Sequence, residues 1–146
     1  MGIPRLIEAS NDYVRKLEEA LLQAPQAELV TTHHLNGGMY ARTVYMDAGS
    51  VMTGALHKTD HLNIVFGDVS VTTDTGVQRL IGHHVLETKA GMKRALFAHA
   101  ATAWTTVCKT DKTVLEEIEE DVVEGAGKLL TRHPQLTVNQ PLKLKD

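Results

Sequence analysis

Turn-forming residues punctuate the middle of this chain at a spacing too short for helices and too regular for irregular loops. Asn36-Gly37-Gly38, Asp47-Ala48-Gly49, Gly67-Asp68, Asp74-Thr75-Gly76, Gly82 and Ala90-Gly91 divide residues 29–109 into short runs rich in Val, Thr, Ile and Tyr. Strands recurring about every 8–12 residues between such signals define an antiparallel sandwich or barrel. The spacing predicts strands near 29–33, 39–46, 51–57, 62–66, 69–73, 77–81, 84–88, 94–99 and 103–109. Gly67-Asp68 reads as a hairpin signal, and Asp74-Thr75-Gly76 as a second one.

Both flanks have a helical texture. Leu6, Ile7, Val14, Leu17 and Leu21 recur at roughly helical spacing, with Arg15, Lys16, Glu18 and Glu19 opposite, which predicts a helix over 4–23. Pro4 suits its first position. Ser10-Asn11-Asp12 is a possible interruption, because these side chains compete for backbone bonds. After Cys108, Thr113-Val-Leu-Glu116 matches a capping box. Leu115, Ile118, Val122, Ala126 and Leu129 then form one apolar face, and the run Glu116 to Glu124 reads as a solvated acidic face or, alternatively, a docking surface for a basic partner. Gly125 and Gly127 weaken this helix and His133-Pro134 ends it. The expected organisation is an N-terminal helical segment (1–28), a β-barrel (29–110), and a C-terminal helix with an extended tail (111–146). In the tail, apolar residues alternate at 136, 138, 142 and 144. That pattern suits a strand added to a neighbouring copy or a larger particle.

The chain has 146 residues and a formal net charge of −3, enough length for one buried core. A negative balance without a basic stripe argues against nucleic acid as a partner. No apolar run approaches the ~20 residues of a membrane span. Met-Gly-Ile-Pro-Arg lacks the apolar stretch of a signal peptide, and Leu6 breaks a myristoylation pattern. The lone Cys108 has no intrachain disulfide partner, so an intracellular protein is the expectation.

Chemistry is suggested at one place, Gly54-Ala-Leu-His57-Lys-Thr-Asp-His61. Two histidines four residues apart converge either on one strand face or across a tight turn. Cys108 on a late strand and His34 on an early one are further candidate ligands, so that three N/S donors with an open position would suit a late first-row metal. His33 and His34 face opposite ways on a strand, so at most one of them joins a cluster. Asp60 would orient an imidazole or hold a turn. Arg94, after a Gly turn, is a candidate inward anion ligand. Cys108 lacks the base and the electropositive setting of a nucleophile.

The order Gly49, His57, His61, Gly67 resembles the first motif of the cupin superfamily, with His57 at the second His position and His61 at the Glu position. Ala55 stands at the first His position, and Lys89-Ala-Gly91-Met-Lys-Arg94 resembles the second motif with Arg94 at its His position. A closer resemblance covers residues 31–108. Thr32-His33-His34, Gly38-Met-Tyr40-Ala-Arg42, Ala48-Gly49, Thr53-Gly54, His57-Lys58-Thr59, Gly91-Met-Lys93-Arg94 and Trp104-Thr-Thr106-Val107 look like small cupin-like proteins of tailed bacteriophages, in which a His is expected at position 108. The resemblance implies a mainly β, cupin-like antiparallel β-barrel or jelly roll with N- and C-terminal helices. Two of the four ligands of the usual cupin site are absent, so the case for a divalent transition metal (Zn, Mn, Fe or Ni) at His57, His61, Cys108 and His34, with Arg94 as a ligand contact, rests on the residues themselves; the alternative is that His57 and His61 hydrogen-bond turn backbone. The resemblance places the protein in the bacterial host cytoplasm or in a virion, as a homo-oligomer or within a phage assembly. Two function classes follow: a metal- or small-ligand-binding barrel, or a non-enzymatic assembly module using its termini.

Overall fold

A computed structural model of the chain describes residues 3–26, 29–129, 132, 137–139 and 143–144. Helix α1 (Ile3–Leu21) precedes seven strands: β1 (Leu29–Asn36), β2 (Met39–Met46), β3 (Val51–Thr53), β4 (His61–Thr73), β5 (Gly76–Thr88), β6 (Ala95–Ala98) and β7 (Thr102–Lys109). Helix α2 (Leu115–Val122), a 3₁₀ turn (Ala126–Lys128) and two short strands, β8 (Thr137–Asn139) and β9 (Lys143–Leu144), follow. Neighbouring strands run in the order β3-β6-β4-β7-β2-β1-β8, with β5 on the other edge of β4 and β9 on β1. The fold is mainly β, a curled antiparallel half-barrel. This agrees with the mainly β antiparallel architecture expected, with a helix on each side in sequence; among the described residues no strand pairing joins the two ends of the path.

Alternation explains the core. Inward residues of β1, β2, β4, β6 and β7 meet as Leu29, Val44, Met46, Val65, Val69, Val71, Leu96, Ala98 and Trp104. The turn Gly37-Gly38 joins β1 to β2 with both residues at positive φ (59° and 75°), the conformation of a two-residue hairpin that suits glycine.

Gly67 was expected to turn the chain, and it does not. β4 continues through it, paired with β5 from His61↔Thr88 to Thr73↔Gly76. The four strands expected over 62–88 are therefore two, and the real hairpin is at Asp74-Thr75. Gly67 instead bends β4, at φ +149°, where its other edge changes partner from β7 to β6. The Thr102 backbone approaches so closely that a Cβ on Gly67 would lie 2.7 Å from Thr102 Cα and 2.8 Å from the Ala101 carbonyl oxygen.

α1 runs unbroken through Ser10-Asn11-Asp12. The Asn11 side chain is buried and spends its bonding groups elsewhere: Nδ2 donates to the Gly91 carbonyl (2.6 Å) and Oδ1 accepts from the Lys93 amide (2.8 Å). Thr113 does not cap α2, whose N-cap is Val114 without a side-chain bond. Ile118, Val122, Ala126 and Leu129 are buried as expected, but the helix stops at Val122 and Gly125 sits in the left-handed region. Glu119 departs from the solvated acidic face: it is fully buried and bound by Arg132 at 2.8 Å.

The described parts of the tail pair in parallel with β1 of the same chain, Val30↔Val138 and Leu35↔Leu144 among the partners. The predicted stop at His133-Pro134, the alternating residues Leu136 and Leu142, and Met1-Gly2 lie outside the described residues. Among the described residues no helix is long and apolar enough to cross a membrane.

Candidate functional site

The segment between β3 and β4 is strapped in place by backbone bonds. Lys58 N–H donates to Val122 O (2.8 Å), Glu124 N–H to Leu56 O (2.9 Å) and Gly91 N–H to His57 O (2.9 Å). Asp60 accepts the Ala90 N–H at 2.8 Å, so its carboxylate holds the turn before Gly91. These straps fix His57 and His61 with their rings stacked, centroids 4.1 Å apart and planes at 28°.

Each imidazole Nδ1 contacts a backbone carbonyl two residues back, Ala55 O at 3.2 Å and Thr59 O at 3.0 Å. A carbonyl only accepts, so Nδ1 carries the proton and Nε2 keeps its lone pair. Burial lowers the His57 pKa from 6.5 to about 3, helped by His61 and Arg42. His61 is lowered too, again chiefly by burial, with Arg94 adding to it. Both rings are neutral at pH 7.

They line a cavity of about 750 Å³ inside the curl of the sheet. Its polar floor crosses four strands. Arg42 on β2 faces Thr106 on β7, which faces Asn63 on β4. A directional chain of hydrogen bonds continues the row. Arg94 Nη2 donates to Thr88 Oγ1 (3.1 Å), Thr88 donates to Asn63 Oδ1 (2.7 Å), and Asn63 Nδ2 donates to Thr106 Oγ1 (3.0 Å). The Thr106 hydroxyl proton is left to be donated onward. Arg94 Nη1 also donates to the Thr72 carbonyl at 2.7 Å. Lys93 completes the cationic lining, held by Glu18 of α1 and the Gly54 carbonyl, both at 2.7 Å. The end of α1 and residues 24–26 form one wall.

Of the residues expected to carry chemistry, the structure brings together His57, His61 and Arg94. It does not bring Cys108 or His34 to them. His34 is exposed, on the outward face of β1; the inward histidine is its neighbour His33, bound to the Tyr40 hydroxyl at 2.6 Å. Cys108 is 2 % exposed among Val122, Val123, Ala126 and Leu129, and burial pushes its thiol up to about 11. Arg42, Asn63, Thr88 and Thr106 were missed. The signal for Arg42 was its phase: it shares a strand face with Tyr40, Val44 and Met46, and a charge on an inward face is informative.

The donor set does not fit a resident transition metal. Such an ion takes three or four converging N, O or S ligands. Among the described residues no third His, Cys, Asp or Glu joins the two imidazoles. Arg42 and Arg94 line the same space and repel a cation, while Lys93 there is paired with Glu18. Cys108 follows the same logic as a packed residue. Cys108→Ala is expected to cost on the order of 1 kcal/mol, and Cys108→His more, because a polar ring replaces a thiol in an apolar cluster. Thermal melts with and without chelator check this; a chelator-sensitive melt, or His outperforming Ala, would contradict it.

No protein-family model matches the chain, and no curated protein matches it. Solved structures are similar to it. A cupin superfamily protein from Desulfitobacterium hafniense is 15 % identical, covering 60 % of this chain and 83 % of that one, with a TM-score of 0.49. A cupin 2 conserved barrel domain protein from Leptotrichia buccalis is 16 % identical over 68 % of this chain and 50 % of that one, TM-score 0.49. KdgF from Halomonas sp. is 15 % identical over 53 % and 76 %, TM-score 0.45. What the present cavity can hold follows from its own side chains.

Proposed function

We propose that this chain is a cupin-like barrel that binds a small organic ligand in its interior without a resident metal. The cavity carries this reading. At about 750 Å³ it has the size of a small-molecule site, and polar side chains converge in it from β2, β4, β5 and β7. A core built only for stability would fill this space with apolar side chains. The wall also contains the single tryptophan, Trp104, which is only 5 % exposed. Acrylamide, small and uncharged, is expected to quench Trp104 fluorescence well beyond what a sealed core allows. Quenching no stronger than that of a fully buried indole would overturn the reading.

A second reading, an assembly module of a bacteriophage that self-associates or docks through its termini, is motivated by the ordered sequence words shared with small phage proteins. It draws support from the outer face of the sheet, where Phe66 is 67 % and Ile81 64 % exposed. Light scattering on the full chain separates the two: a large assembly together with an unquenchable Trp104 favours the module.

A further inference from the structure

If the cavity is a ligand site, as proposed above, its wall also defines the ligand's chemistry. Arg42 is half-buried on the inward face of β2, lines the cavity, and has neither an ion pair nor a side-chain hydrogen bond among the described residues. Among the described residues Arg94 is held by a carbonyl and a hydroxyl but by no carboxylate, and its Nε is buried without a partner. Three carboxylates are near. Glu18 in the same wall is committed to Lys93. Glu119 shares a smaller pocket with Arg42, His57 and Thr106 and is bound by Arg132. Glu124 also lines the cavity; none of the three pairs with Arg42 or Arg94 among the described residues. Guanidinium groups withdrawn from water without a resident anion are costly, and a carboxylate matches their planar fork with two charge-assisted bonds.

We infer that the cavity binds a small hydroxylated carboxylate, its carboxylate on Arg42 and the Thr106 hydroxyl, its hydroxyl groups on the stacked His57 and His61. Arg42 has all of its donors to give, and it faces Thr106 across the β2–β7 ladder. The bonded row from Arg94 leaves Thr106 as a donor at the same place. The two imidazoles offer acceptors, since each Nδ1 is engaged with a backbone carbonyl. A ligand that satisfies both halves carries an anion at one end and O–H donors at the other.

The test uses the full chain and two probes of equal carbon skeleton, D-gluconate and uncharged D-sorbitol, in calorimetric titrations. Gluconate is expected to bind at least about tenfold more tightly than sorbitol, and Arg42→Met to remove that preference. Arg42 makes no bond that holds the fold, so this variant stays folded, which its melt verifies. Equal binding of the two probes, or gluconate binding unchanged in Arg42→Met, would overturn the inference while leaving a ligand-binding cavity. Failure of both probes to bind, with Trp104 still open to acrylamide, overturns it as well. A Trp104 closed to acrylamide overturns the underlying reading instead.

Discussion

Gly67→Ala is expected to destabilise the protein by about 2–4 kcal/mol, the range in which backbone strain and overpacking combine. Two effects act together. At φ +149° an L residue is strained whatever surrounds it, and here the new methyl would meet Thr102 Cα at 2.7 Å and Ala101 O at 2.8 Å. Neither is the end of a flexible side chain, so the β4–β7 junction must open. Thr102 Oγ1 bridges that junction, accepting from the Asp68 amide at 3.1 Å. The control is Gly76→Ala in the β4–β5 turn, also at positive φ (131°) but with open space where the Cβ would sit. Urea denaturation of both variants checks the expectation, and Gly67→Ala must be clearly the worse of the two.

The second large effect is on acid stability. Folded His57 keeps its neutral form down to about pH 3, whereas the unfolded chain protonates it near 6.5. Between these values the unfolded chain binds the extra proton. The contribution is therefore complete above pH 6.5 and is lost as pH falls toward 3, at up to ~1.4 kcal/mol per pH unit. His61 acts in the same direction. Comparing wild type with His57→Gln removes the acid loss common to all carboxylates. Between pH 7 and pH 5 the wild type should lose about 2 kcal/mol more than the variant. Parallel stability curves would mean that His57 is not held as a buried neutral ring.

Much of the fold was legible because its signals are local. β2 has the limits read from the sequence, and the inward phase of β7 was present in the alternation of Thr102, Trp104, Thr106 and Cys108. Gly67 and Gly82 misled because glycine marks a turn and a bent strand equally well. At Gly67 only Thr102, far along the chain, decides between them. The closure also exceeded local signals: strands of a barrel can be counted from turns, but whether the last edges meet depends on pairings that no short segment specifies. At the site, the four-residue spacing of His57 and His61 was enough to bring the rings together. The rest depended on strand order. Arg42, Thr106 and Asn63 share a row only because β2, β7 and β4 are neighbours, and nothing near any of them announces the other two. His34 was chosen where His33 faces inward, since adjacent histidines reveal opposite faces without saying which is which.

The account stands on an open, electropositive interior in a protein whose net charge is −3. The most direct measurement is Stern–Volmer quenching of Trp104 by iodide and by caesium at matched ionic strength. The overall charge and Glu124 in the cavity wall favour caesium; Arg42 and Arg94, which line the same cavity as Trp104 and have no carboxylate partner among the described residues, favour iodide. The expected result is an iodide constant at least about threefold above that of caesium, falling toward equality in Arg42→Met and at high salt. Equal quenching in the wild type, or stronger quenching by caesium, would contradict an anion-binding cavity.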